Sequence, residues 1–233
     1  MKYQKLLLVL FCSATTFAQM NQRLLNDINS IEGKVIDWRH YFHENPELSN
    51  REFNTGKKIA EHLKGLGFDV TENVAHTGVV GILKGNYPGK VIALRADIDA
   101  LPVTERNDLP FKSKVTTTFL GQETGVMHAC GHDTHISILM GVAEVLSKHK
   151  DLLHGTVKFI FQPAEEGPPP GEEAGASLMI KEGVLKNPDV DAIFGLHIGS
   201  GSPVGTITYK PGGTMAAVEQ FTVNIKGKQT HGS

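Results

Sequence analysis

The chain of 233 residues is 40% hydrophobic and 21% charged, with 25 Gly, 11 Pro and two Cys. That length and apolar content suffice for one or two domains with a buried core, and they exclude a collagen-like, disordered or small disulfide-stapled chain. A formal net charge of −2 with no long basic run gives no electrostatic support for nucleic-acid binding.

The N-terminus has the order of a secretory signal. Lys2 and Lys5 precede the apolar run Leu6–Phe11, and small residues lead to Thr16-Phe-Ala-Gln19. This order predicts cleavage after Ala18 and export to the periplasm or beyond. The apolar run is well short of the ~20 residues that span a membrane, so no membrane association is expected after cleavage. A buried N-terminal helix is the competing reading, while a lipoprotein reading through Cys12 meets bulky Phe11 where a small residue belongs. Once residues 1–18 are removed, Cys130 is the remaining thiol; it cannot form an internal disulfide and needs another explanation.

From Asn21 to about Phe42, the residues Leu24, Leu25, Ile28, Ile31, Val35 and Trp38 fit one helical face, which Pro46 ends. Ser49 with Glu52 reads as a capping box for a second helix through Leu63, closed at Gly65 or Gly67. Short runs rich in branched residues follow at 68–70, 78–83, 91–94, 157–161 and 192–196. Between them Ile136, Leu139, Met140, Ala143 and Leu146 recur at helical spacing, as do residues 176–180. Strands interleaved with helices predict an α/β fold, with a mostly parallel mixed sheet flanked by helices. Near Glu219 the pattern changes to the alternation of a half-exposed strand over Gln220–Lys226, which predicts the start of a smaller α+β domain.

In open α/β sheets, sites form beyond the carboxyl ends of the strands. Here those ends are followed by Arg95-Ala-Asp97-Ile-Asp99, by Gln162-Pro-Ala-Glu165-Glu166 and by His197; His128-Ala-Cys130-Gly-His132-Asp133 precedes the helix expected from about Thr134. Four segments thus bring Asp, Glu, His and Cys to one edge. A bend at Gly131 lets Cys130 and His132 face one ion, and thiolate with imidazole suits zinc and related divalent metals. The competing reading is a buried inert cysteine beside a solvated histidine. Asp133 suits a helix N-cap or a partner to a ligand, and His128 and His135 read as supporting residues. Adjacent Glu165 and Glu166 project oppositely in an extended chain, so one can bind metal while the other acts as general base; an acidic surface loop is the alternative. His197 reads equally as a ligand or a packed polar residue. Asp97, after a buried strand, needs a partner: a ligand histidine, a metal, or Arg95 in an internal ion pair.

Ala93–Pro102, Met127–His135, Phe161–Gly167 and Gly195-Leu-His197 together resemble the amidohydrolase branch of the dinuclear-metal aminoacylase and carboxypeptidase family. That branch includes hippurate hydrolases, N-acyl-amino-acid hydrolases and indole-acetyl-amino-acid hydrolases, and Trp38–Leu48 resembles its N-terminal helix motif. The resemblance implies hydrolysis of the amide bond of N-acyl amino acids or small peptides. It implies two divalent metal ions, with zinc, manganese, cobalt and nickel all open, bridged by Cys130 and held further by His132, Glu166 and His197. Glu165 matches the catalytic base, Asp97 the acidic residue behind the ligands, and His231 the lid histidine that contacts the substrate carboxylate or developing oxyanion; for His231 a simple loop histidine is the alternative.

The domain expectation is therefore a signal peptide at 1–18, a metal-dependent catalytic domain at 19–216 and the first strand of a lid domain at 217–233. The family's last metal-binding histidine has no counterpart before Ser233, so the catalytic domain reads as incomplete and the chain as a fragment. The loop Gly167-Pro-Pro-Pro-Gly-Glu-Glu173 is longer than the glycine-rich turn of many relatives. The expected partner is a small-molecule substrate, and a homodimer through the lid is left open. Two rivals remain: a catalytically inactive metal-binding fragment, and a periplasmic binding protein, which explains the fold and export but not Glu165 beside Glu166.

Overall fold

The computed structural model describes residues 22–214, 221 and 223–228. The expected signal peptide and His231 lie outside the described residues. The chain divides into two compact units, Met1–Ile198 and Gly199–Ser233, a division ahead of the expected boundary at 216. Among the described residues of the second unit there is no helix or strand; the strand expected over Gln220–Lys226 is not formed at 221 or 223–226. Among the described residues, no helix is long and apolar enough to cross a membrane.

Among the described residues, the first unit opens with helix α1 (residues 22–30) and helix α2 (Glu32–Glu44). The single helix expected here is broken at Ile31, and Leu25 and Ile28 on its first half are exposed. α2 stops one residue short of the pre-proline position Asn45, where the α conformation is disfavoured. It packs on α4 (His132–Lys148) at Gly141, where a Cβ would stand 2.9 Å from Val35.

Helix α3 (Phe53–Gly65) ends as expected, through Gly67 in the left-handed region. Phe68 N–H donates to Leu63 O and Gly67 N–H to Lys64 O, the two bonds of a Schellman closure, and Phe68 is buried. Its start differs from expectation. No Ser49–Glu52 capping box forms: Ser49 donates instead to Asp99, and Glu52 has no cap bond. The orphan amides of Asn54 and Thr55 donate to Glu47, from outside the helix.

Strands β1 (Asp69–Val74), β2 (Gly78–Lys84), β3 (Tyr87–Asp97), β6 (His154–Gln162) and β7 (Ala192–Gly195) form one sheet in the order β1-β2-β6-β3-β7. β3 runs parallel to β6 and to β7, while β2 pairs antiparallel with β1 and β6, so two of the four pairings are parallel. A separate hairpin, β4 (Thr116–Phe119) and β5 (Gln122–Gly125), turns through Leu120 and Gly121, both at positive φ.

Period-2 alternation sends β6 side chains to two cores. Phe159 and Phe161 join Phe42, Ile59, Leu63, Ile136 and Met140 beneath α2, α3 and α4. Ile160 joins Val80, Ala93, Met179 and Val184 on the other face, covered by α5 (Gly175–Lys181). Lys158 points to that second face and is buried; its Nζ donates to the carbonyls of Val184, Lys186 and Pro188, which satisfy all three ammonium protons. The expected helices flank the sheet, and strands β3, β6 and β7 end at one edge, beside the start of α4.

Candidate metal centre

The register fixes what that edge carries. Asp97 pairs with Gln162 and Arg95 with Gly195, so Asp97-Ile-Asp99, Pro163-Ala-Glu165-Glu166 and Leu196-His197 leave the sheet side by side. α4 supplies the fourth segment. Its N-cap, Gly131, sits at φ 89, and a Cβ there would stand 2.2 Å from the Ile198 side chain, so glycine is required both for the turn and for the packing. This bend allows Cys130, before the helix, and His132, its first residue, to face one point.

Asp99 organises that point. The His132 Nδ1–H donates to Asp99 O at 2.9 Å, with Asp99 Oδ1 at 3.2 Å. Ser49 Oγ and the Glu166 backbone N–H donate to Asp99 Oδ2 at 2.8 and 3.0 Å. With Nδ1 committed, His132 turns its bare Nε2 outward, where it is buried without a hydrogen-bond partner. Around it stand Asp97 Oδ2 at 3.6 Å, Glu165 Oε2 at 3.8 Å and Glu166 Oε1 at 3.9 Å, too far for hydrogen bonds. The donor atoms of Cys130, His132 and Glu166 all lie within 4.8 Å of one another, and Cys130 Sγ is 3.5 Å from His197 Nε2. The His197 Nδ1–H donates to Ile198 O, so Nε2 is the nitrogen left toward the thiol.

His135 belongs to the support rather than to the donor set. Its Nε2 accepts the Ile198 N–H at 3.0 Å, which places its proton on Nδ1, and that N–H donates to Asp97 Oδ1 at 2.5 Å. Arg95 donates to the other Asp97 oxygen at 2.7 Å.

The electrostatics ask for a cation. Burial pushes the Asp97 carboxyl up, but the His135 hydrogen bond and the His132 and Arg95 charges outweigh it and hold the group at about 2. Asp99 is likewise held low: its burial is outweighed by His132, the Glu166 amide and Ser49. Burial lowers His132, yet the bond to Asp99 and the surrounding carboxylates raise it overall. Burial, then Glu166, Glu165 and Asp97, push the Cys130 thiol up to about 12. A thiolate, two imidazole nitrogens and carboxylate oxygens are the donor set of zinc-like divalent ions, and the partnerless His132 Nε2 is the lone pair such an ion would take. The residues fit a metal.

Six of the seven residues that the family resemblance assigns to the site, Cys130, His132, Glu165, Glu166, His197 and Asp97, are thus brought together; the seventh, His231, lies outside the described residues. Two local expectations are corrected. Glu165 and Glu166 do not diverge along an extended chain: Ala164 at φ 48 bends the backbone, and both carboxylates approach the same histidine nitrogen. Asp133 is not the N-cap of α4, since Gly131 is. Asp133 is buried and accepts from Arg39 at 3.0 Å and from His43 Nδ1 at 2.9 Å. His43 Nε2 faces Glu105 at 3.0 Å; bonds to two carboxylates raise its pKa against burial and favour imidazolium. Sequence reasoning gave no role to Asp99 or to His43. The signal for Asp99 was available, because it is the second acid of an Asp-x-Asp that follows a buried strand.

A mixed α/β sheet that gathers a thiol, imidazoles and carboxylates beyond its strand ends defines an α/β protein with a metal-binding edge. The model of Peptidase family M20/M25/M40 matches residues 93–231, and the chain belongs to this family. It is 48% identical over 213 residues to thermostable carboxypeptidase 2 of Saccharolobus solfataricus, covering 91% of this chain and 51% of the relative. It is 45% identical over 199 residues to N-acetylcysteine deacetylase of Bacillus subtilis, covering 85% of this chain and 48% of that one. Among solved structures, the Bacillus subtilis YXEP protein, a dinuclear metal binding peptidase from the M20 family, superposes with a TM-score of 0.66 at 43% identity. That match covers 76% of this chain and 46% of the other. The chain spans about half the length of these curated relatives.

Proposed function

We propose that the chain forms the metal-bearing part of an exported hydrolase that cleaves the amide bond of N-acyl amino acids or small peptides, releasing an acid and an amino acid. A carboxypeptidase and an N-acyl deacetylase share one chemistry: the scissile amide nitrogen belongs to an amino acid. The observation that carries the reading is the Glu165–Glu166 pair, with both carboxylates within 4 Å of the partnerless His132 Nε2. Cys130, His132, Glu166 and His197 would hold two divalent ions, which supply Lewis acidity for the carbonyl and lower the pKa of a water.

Glu165 lies outside that ligand set and is partly exposed, so it can reach both solvent and substrate. It takes a proton from the attacking water and returns it to the departing amine. Asp97 and Asp99, buried and paired, orient the ligand histidines; His132 and the Ile198 peptide beside His197 are held from behind. His231 is assigned to the developing oxyanion from its place in the sequence. The leader at 1–18 carries the export assignment.

The test is Glu165→Ala in the full-length, metal-loaded protein, assayed against a panel of N-acyl amino acids and dipeptides. The expected outcome is unchanged metal content and a kcat lower by about a hundredfold or more. Near-normal turnover would overturn the assignment of the base, and no metal-dependent hydrolysis by the wild type would overturn the function.

A further inference from the structure

Ser49-x-x-Glu52 has the spacing of a capping box, but in the structure Glu52 has different partners. Its side chain is fully buried at the start of α3. Oε1 accepts the Ala164 backbone N–H at 2.8 Å, and Oε2 accepts Thr77 Oγ1–H at 2.5 Å. Ala164 is a non-glycine residue in the left-handed region at φ 48, one position before Glu165, and Pro163 before it has no N–H to give. The turn is confined on its other sides. A Cβ on Gly78 would stand 2.8 Å from the Pro163 ring, and one on Gly175 2.8 Å from Ala164 O. Two residues further on, the Glu166 N–H donates to Asp99 Oδ2, which also takes Ser49 Oγ–H. Glu165 therefore sits between two anchored amides, one held by Glu52 and the other by the Asp99 that Ser49 orients. Both anchors run back to residues 49–52.

We propose that Glu52 is a positioning residue for the Glu165 turn: it holds Ala164 in its left-handed conformation through the backbone N–H, and so sets the direction of the Glu165 carboxylate. The inference rests on the reading of Glu165 as the proton acceptor. Displacement of a reacting group by about 1 Å can cost about a hundredfold in rate, and release of the Ala164 peptide is a displacement of that kind.

The experiment compares Glu52→Ala, Glu52→Gln and Glu165→Ala in the full-length, metal-loaded protein. Glu52→Ala should lower kcat by about a hundredfold, with metal content unchanged and KM changed far less, and hydrogen exchange at the Ala164 amide should accelerate. Glu52→Gln offers a carbonyl to Ala164 and an amide donor to Thr77, so it should restore most of kcat and the slow exchange. Should Glu52→Ala fail to fold, Glu52→Asp, which draws the carboxylate back from Ala164, takes its place against Glu52→Gln. The inference is overturned if the shortened variant keeps wild-type kcat per folded molecule, or if Glu52→Gln is as impaired as Glu52→Ala. Full turnover in Glu165→Ala would instead remove the proton acceptor itself, and the positioning role with it; an inactive Glu165→Ala beside an active Glu52→Ala removes only the role of Glu52.

Discussion

At the scale of single residues, the candidate centre depends on side chains that never face solvent. Asp99 is 1% exposed; its carboxylate accepts from the Glu166 amide and Ser49 and stands 3.2 Å from His132 Nδ1, whose shorter bond goes to the Asp99 backbone carbonyl. Such outer partners typically carry about 10–100-fold in metal affinity. Asp99→Ala should therefore weaken divalent-metal binding by that factor in chelator competition, although Asp99 is not itself a ligand; unchanged affinity would contradict the role. Glu52 gives a pH signature. Burial is the main cause that raises its carboxyl from the ordinary 4.5 to about 7, with the Asp99 charge adding and the bonds from Thr77 and Ala164 opposing. A carboxyl raised on folding favours the protonated native state. Its contribution to stability is full below the unfolded pKa and is lost as pH rises from there through about 7. In urea unfolding of the metal-free protein, Glu52→Gln should remove a decline of up to about 3 kcal/mol between about pH 5 and pH 8; parallel profiles for the two proteins would contradict this. Residues of this kind are hard to read from sequence. Ser49-x-x-Glu52 matches a helix start locally, and the tertiary partners that claim both side chains, Asp99 and Ala164, lie 50 and 112 positions away.

At the scale of elements, the site exists because three strands end where one helix begins, and that much was legible. Apolar runs marked β2 and β7 to within one residue and only the inner part of β3 and β6, which extend over Tyr87–Asp97 and His154–Gln162; the acids and histidines just beyond them marked the edge. The hairpin β4–β5 was not legible, since Thr116-Thr-Thr and Gln122-Glu-Thr carry almost no apolar alternation. The spacing of the N-terminal helix continues through Ile31, but Leu25 and Ile28 are exposed, and the backbone turns at Ile31. Neither does an apolar strand imply burial: Phe194, on β7 at the end of the sheet among the described residues, is 60% exposed. Packing between α3 and the β1–β2 turn is tight, with a Cβ on Gly56 only 2.5 Å from Thr77 O. Alanine there gains about 1 kcal/mol of helix propensity. Overpacking costs about 1–3 kcal/mol, and a backbone oxygen cannot rotate aside, so the upper part of that range applies. Gly56→Ala should lower the thermal midpoint, and an increase would show that α3 is free to move.

At the scale of the whole molecule, a chain with a formal charge of only −2 concentrates Asp97, Asp99, Glu165 and Glu166 around one histidine. The fold gathers these charges around the His132 ring, and a divalent cation is a partner that would offset their mutual repulsion. Asp97, Glu165, Glu166 and His197 were legible as chemical exceptions beyond apolar strands, and Cys130 and His132 as a thiol and an imidazole flanking Gly131 at a helix start, whereas the division of the chain after Ile198 has no such mark. Every donor described here lies in the first unit, from Asp97 to His197. Cys130 would enter a divalent metal site at this edge as the thiolate, although burial, and after it Glu166, Glu165 and Asp97, push the thiol up to about 12. The most direct measurement is the absorption spectrum of the cobalt-loaded full-length protein and of its Cys130→Ser variant. A thiolate-to-cobalt charge-transfer band in the wild type, absent from the variant, is the predicted result. An identical spectrum in both, or no bound cobalt in the wild type, would contradict the account.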